Sequence, residues 1–181
     1  MSNTKLLFLC AAASITAAGC GDDEGGYEPT GTGPAANVLC TSSSMNAFDT
    51  YGADAFVAVN KKIFELVTAE LMANGETNVG ASFGGVADFA TFEGRLAAFL
   101  VFVYGGPDSI TYADGKMYQG RGQDMTAAHT GMGITSEQYD YFIGNVVVPA
   151  LTMSGVPMDD VSSCFAPPVT DAAFKASIVG K

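Results

Sequence analysis

Histidine occurs once in the 181 residues, at position 129. Imidazole is the side chain that both titrates near neutrality and ligates metals, so every histidine-based mechanism open to this chain passes through His129. A zinc site built on several histidines is excluded, and so is a pair of histidines gripping one metal from two sides. What is left is a single imidazole donor or a single acid–base group. A Ser–His–acid arrangement cannot be argued from the chain. Asp124 and Asp140 are near His129 in sequence, but nineteen acidic residues supply such neighbours everywhere.

The elements that must position His129 read as helices. From Asn46 onward Phe56, Val59, Ile63, Leu66 and Val67 recur at three- and four-residue steps, and Asn74-Gly75 is a plausible stop. A second helix starts with Asp88 as its cap, carries Phe89, Phe92, Leu96, Phe99, Leu100 and Val103 on one face, and stops at Gly105-Gly106-Pro107. In the third, Thr135 and Gln138 form a capping-box pattern, and Tyr139, Phe142, Ile143, Val146, Val147, Ala150 and Leu151 keep one stripe. Pro149 inside that stripe should kink the helix toward its end, and Gly155-Val156-Pro157 terminates it. A last helix over 161–179 is interrupted by Pro167-Pro168. The glycine-rich, polar stretch between Pro107 and His129 has no sustained period and reads as a long loop, with at most one helical turn just before the histidine. No alternating strand pattern competes, so the expected class is all-α.

The signposts around these helices come in a specific order: Gly105-Gly106-Pro107, then Tyr118-Gln119-Gly120-Arg121, then Met125 four residues before His129, then Gly133-Ile134-Thr135, then Gly155-Val156-Pro157. In that order, with the histidine in the third, the sequence from Asn46 to the C-terminus resembles the group I truncated haemoglobins. Asn46-Ala47-Phe48-Asp49-Thr50-Tyr51-Gly52 is similar to their opening turn, although Ala53 stands where a second glycine is usual. The resemblance implies a two-over-two helical sandwich around one non-covalent haem b, a truncated globin domain over 46–181. It makes His129 the proximal ligand of a five-coordinate iron, since neutral imidazole is the usual axial donor in globins. The ring nitrogen not on iron then needs a partner to set the tautomer, and a backbone carbonyl one turn earlier, near Met125, is the expected acceptor. Without the flanking motifs an exposed or capping histidine at a helix start would account for the residue as well. The chain has no Cys-x-x-Cys-His, so covalent attachment of haem is not indicated.

By the same resemblance Phe92 and Leu96 face the gas ligand, Phe99 and Leu100 continue that wall, Phe83 packs flat on the haem, and Phe142 contacts it from the next helix. All of these also suit a plain apolar core. Arg95 would reach a haem propionate, or be an ordinary surface arginine. The tyrosine and glutamine that hydrogen-bond oxygen in many relatives are here Phe64 and Leu96. Such polar bonds are worth about 1.5–3 kcal/mol, roughly ten- to a hundredfold in affinity. The expected function is therefore reversible binding of a diatomic gas (oxygen, nitric oxide or carbon monoxide), with oxygen held loosely. The alternatives are a haem-free helical lipoprotein acting in protein–protein contact, or a haem enzyme such as a nitric oxide dioxygenase served by an unknown redox partner.

The N-terminus bears on compartment. Lys5 is followed by an apolar stretch from Leu6 to Ala18, of signal-peptide length and too short to anchor a membrane by itself. Ala17-Ala18-Gly19-Cys20 resembles a bacterial lipobox, with Ala17 in place of the usual leucine. That resemblance implies a signal over 1–19 and lipid on Cys20, attaching the protein to a membrane facing the periplasm or exterior; an ordinary secretory signal would also export it. Residues 20–45 then form a lipidated, flexible tether, since Gly21 to Ala36 has almost nothing to bury. With Cys10 and Cys20 so used, Cys40 and Cys164 remain, and in an oxidising compartment two thiols read as one disulfide; two buried free thiols are the other reading. The net charge of −11, from 19 acids against 8 bases, leaves no basic face for nucleic acid.

Overall fold

The computed structural model describes residues 27–74, 88–120 and 124–181; the expectations for residues 1–26, Cys20 included, and for Phe83 lie outside them. The described part is helical apart from residues 27–46, one short hairpin and the connecting turns.

Helix α1 (Ala47–Asn74) begins where Asn46 Oδ1 accepts from the Asp49 amide at 2.7 Å. It breaks once, at Gly52 (φ 75°, ψ 168°), a conformation that glycine tolerates at no steric cost. Past the break, Phe56, Val59, Ile63 and Val67 form the buried stripe that the sequence periodicity indicates. Helix α2 (Phe89–Val103) is capped by Asp88, whose carboxylate accepts from the Thr91 amide at 3.0 Å. At its other end Gly106 N–H donates to Val101 O and Gly105 N–H to Phe102 O, a Schellman closure. Gly105 takes φ 96°, and a Cβ there would lie 2.4 Å from the Asn46 side chain that caps α1. The end of α2 and the start of α1 therefore lock together at that residue.

The stretch after Pro107 is not the featureless loop its composition suggests. Strands β1 (Ser109–Thr111) and β2 (Met117–Gln119) pair antiparallel with Ile110 opposite Tyr118, both buried. The turn between them contains Asp114-Gly115, with Gly115 at φ 76°. A single helical turn, α3 (Met125–His129), follows and is capped by Asp124, which accepts from the amides of Thr126 and Ala127.

Helix α4 (Ser136–Phe142) opens with the Thr135–Gln138 capping box. Pro149 does not break this helix. A proline lacks a donor and its ring clashes with the carbonyl four residues earlier; here a π turn (Ile143–Val147) widens the helix, and the Val148 N–H reaches back five residues to Ile143 O. The helix then continues as α5 (Val148–Met153). The same device recurs before Pro167-Pro168. Helix α6 (Met158–Asp160) runs into a π turn (Val161–Phe165), where Ala166 N–H donates to Val161 O, and then into α7 (Ala166–Thr170) and α8 (Ala172–Ala176). Helix α1 packs against α2 on one side and against α5 on another.

Residues 31–40, expected to be tether, are part of the domain. Ala35 N–H donates to Val103 O at 2.8 Å, and Ala35, Ala36 and Cys40 are buried. A Cβ on Gly33 would lie 1.6 Å from Phe102 O, so this strap seats its bare backbone on the end of α2. It is fastened at its far end by a disulfide between Cys40 and Cys164. Beside the disulfide, Asp160 accepts from Ser42 N (2.9 Å), Ser42 Oγ (2.5 Å) and the Tyr51 hydroxyl. The Asp160 carboxylate is sealed from water, though only shallowly below the surface. Burial raises its pKa, but the bonds from Ser42 and Tyr51 outweigh that and hold it below the usual carboxylate value.

Candidate functional site

A cavity of about 340 Å³ opens where the helices converge on His129. Its walls are apolar. Helix α1 supplies Phe56, Val59 and Ile63, and α2 supplies Phe92, Leu96, Phe99, Leu100 and Val103. The segment around α3 supplies Met125, Ala128, His129, Met132 and Ile134; the α4–α5 helix supplies Phe142, Ile143, Val147 and Leu151. Phe165, Val169, Phe174 and Ile178 close it from the C-terminal elements.

The polar groups of the wall are turned away from the space or are engaged. Tyr104 donates to Phe165 O at 2.7 Å and Tyr139 to Val169 O at 2.5 Å. Burial raises both phenols, Tyr139 to about 12 with help from the charges of Asp140 and Asp171, so both stay neutral. Gln138 Oε1 is engaged in the capping box, accepting from Thr135 N.

His129 differs. It ends α3, so the carbonyl of Met125 one turn earlier lies beside its ring, and Nδ1 is 2.7 Å from that oxygen. A carbonyl oxygen only accepts, which assigns the proton to Nδ1. Nε2 is left with its lone pair and has no hydrogen-bond partner among the described residues. The ring is half-buried. Asp124 fixes this geometry from the other end of α3 by capping it. Among the described residues no cluster of three or more His, Cys, Asp or Glu is placed to hold a metal ion. The chemistry on offer is that of one oriented imidazole facing an apolar space.

Of the residues singled out from the sequence, His129, Met125, Phe92, Leu96, Phe99, Leu100 and Phe142 meet around this cavity. Phe64 does not. It is buried behind the wall, edge-on to Phe89 (ring centroids 4.8 Å) and to Phe92 (5.6 Å). The reason is azimuth: one residue along a helix is a rotation of about 100°, so Ile63 faces the cavity and Phe64 faces α2. Arg95 is exposed and outside the wall. The C-terminal lining was not anticipated. Phe165 and Val169, like Phe174 and Ile178, keep a four-residue spacing that would have shown it, but Pro167-Pro168 interrupts the pattern.

No family model matches the sequence, and no curated protein does. Among solved structures the chain is similar to truncated haemoglobin from Tetrahymena pyriformis, a tyrosine-to-phenylalanine variant in its Fe(III) form. The TM-score is 0.57 at 22% identity, over 76% of this chain and 100% of that one. The likeness shows the fold: this is an all-α chain with the truncated globin architecture.

Proposed function

We propose that the chain binds one non-covalent haem in this cavity, with His129 Nε2 as proximal ligand, and takes up a diatomic gas on the opposite side. The observation that carries the reading is the imidazole itself. Its tautomer is set by the Met125 carbonyl, its lone pair is available, and it stands in an apolar wall that would exclude water from a flat macrocycle. The residues present fit the group. Phe142, Met125 and Met132 would pack near the histidine, and α1 and α2 would form the gas side. Haem supplies an iron with one open position; the chain supplies the axial donor, the dry surroundings and the shape. Arg95, outside the wall, could meet the carboxylates of the cofactor only at the rim.

The test is reconstitution of residues 21–181 with haem. A Soret band that is lost or shifted in His129→Ala is the expected result. No band, or one unmoved by the substitution, would leave a haem-free helical scaffold as the better reading.

The gas side presents Phe56, Val59, Ile63, Phe92 and Leu96, none of which donates a hydrogen bond. Bound oxygen should leave quickly, and Leu96→Gln should slow its release by roughly ten- to a hundredfold, the worth of one polar bond of about 1.5–3 kcal/mol. Phe64→Tyr should leave the rate unchanged, because that side chain lies behind the wall. Flash photolysis of both variants checks this, and slowed release in Phe64→Tyr alone would contradict the geometry.

We further propose that the protein is exported and lipid-anchored through Cys20. Support comes from the lipobox-like Ala17-Ala18-Gly19-Cys20 and from the disulfide between the two remaining cysteines of the domain. Among the described residues no helix is long and apolar enough to cross a membrane. Mass spectrometry of the membrane fraction, with Cys20→Ala as control, tests the anchor.

A further inference from the structure

We propose that Tyr51 and Asp160 form a proton-coupled redox pair, a route by which oxidising equivalents produced in the cavity leave it. The proposal rests on the haem reading above. A ladder of aromatic rings leads from the cavity to this pair. Phe56, Tyr104 and Phe165 all line the cavity. Their ring centroids are 5.7 Å (Phe56–Tyr104), 5.9 Å (Phe56–Phe165) and 5.2 Å (Tyr104–Phe165) apart. From Phe165 the next step is Tyr51, at 5.7 Å. The Tyr51 hydroxyl donates to Asp160, whose carboxylate is also held by Ser42.

What distinguishes Tyr51 from the other tyrosines is its proton acceptor combined with its position. Tyr104 and Tyr139 touch the cavity, but they donate to amide carbonyls, which do not take a proton at ordinary pH. Tyr27, Tyr112 and Tyr118 donate to carboxylates, namely Asp49, Glu93 and Asp114. Among the described residues no ring contact joins these three, or Tyr141 beside the Glu70 carboxylate, to the cavity wall; Tyr112 and Tyr118 stack on each other. Only at Tyr51 does the ladder end on a group able to keep the phenolic proton. Tyr51 is half-buried, so its outer edge is open to an external reductant.

The step balances as follows. Haem, when bound, would supply two electrons to hydrogen peroxide, whose O–O bond breaks as it takes two protons from solvent and leaves as two waters, so that two electron vacancies remain. Tyr51 refills one of those vacancies by passing an electron along the ladder, and its O–H proton moves to Asp160. This leaves a neutral phenoxyl radical hydrogen-bonded to a neutral carboxylic acid. A one-electron donor in solution then restores the phenol as Asp160 returns the proton, and a second equivalent of that donor fills the other vacancy.

The experiment is freeze-quench electron paramagnetic resonance of the haem-loaded protein after hydrogen peroxide, with spin-trap peptide mapping of the wild type. The expected result is a tyrosyl signal and an adduct on Tyr51, with the signal lost in Tyr51→Phe and weakened in Asp160→Asn. A signal unchanged in Tyr51→Phe, an adduct mapped to another tyrosine, or no tyrosyl signal while the Soret band is intact would overturn the pair but leave haem binding standing. Absence of the Soret band overturns both, and the two failures are thereby distinguished. The mapping needs no variant, so it decides the question even where a substitution prevents folding.

Discussion

Replacing Cys40 and Cys164 together by alanine should destabilise the protein by about 4–5 kcal/mol, the chain-entropy value for a very long closed loop. The bridge spans 124 positions, nearly the whole domain. Without it the unfolded chain regains the freedom that the cross-link removes. Against a total stability of about 5–15 kcal/mol that is a large fraction, worth roughly 10–20 °C in Tm for a chain of this size. Both cysteines are sealed from water, at 1% and 0% exposure. A reductant should therefore act on the wild type only once denaturant has opened the structure. The effect should reach the cavity too, because Phe165, adjacent to Cys164, is part of its wall. Urea unfolding of the double variant checks the number, and an unchanged midpoint would show that the strap is held by its other contacts alone.

Those other contacts are what the amino-acid sequence conceals. Gly31, Gly33, Ala35 and Ala36 bury no large side chain, so no hydropathy pattern marks them, yet bare backbone is what can lie directly on the carbonyls at the end of α2. Helices α1, α2 and α4 are legible because their signals are local: apolar residues at helical spacing, and caps at Asp88 and Thr135 whose side chains meet amides three residues on. The hairpin carries a signal too, but a faint one. Ile110, Tyr112 and Tyr118 flank Asp114-Gly115, a turn pair between β-favouring residues, but each strand spans only three residues within a polar stretch.

The candidate site divides in the same way. His129 was legible as a donor because it is unique, and its partner because a helical turn brings the carbonyl of residue i−4 to the ring. The wall facing it was legible in order but not in azimuth. Matching motifs along the chain places Phe64 near the gas side, whereas the helix turns Ile63 there instead. The two π turns were not legible at all. Pro149 and Pro167 show that something must yield; whether a helix kinks, breaks or widens depends on the packing around it.

Asp160→Ala should cost about 1–3 kcal/mol, the loss being limited because Ser42 is exposed and Tyr51 half-buried, so that water can replace part of what the buried carboxylate accepted. Three donors lose their acceptor at once: Ser42 N, Ser42 Oγ and the Tyr51 hydroxyl. These bonds tie the strap and α1 to α6, so the loss falls on the same junction that the disulfide closes. The direction of the pH effect follows from the lowered pKa. The Asp160 carboxylate is held below the ordinary value of 3.8: burial, which opposes this, is outweighed by the bonds from Ser42 and Tyr51. Its contribution is therefore complete above that ordinary value and is lost as pH falls through the lower folded-state value. Asp49, Asp88, Asp114 and Glu137 are lowered as well, so the wild type should lose further stability in acid, weakly at the last three because they are exposed and screened by solvent. Asp160→Asn should flatten the acid limb without changing its other contributors. Denaturation midpoints measured from neutral pH down through the carboxylate range would show this, and parallel curves for wild type and Asp160→Asn would mean that folding does not lower the pKa of this carboxylate.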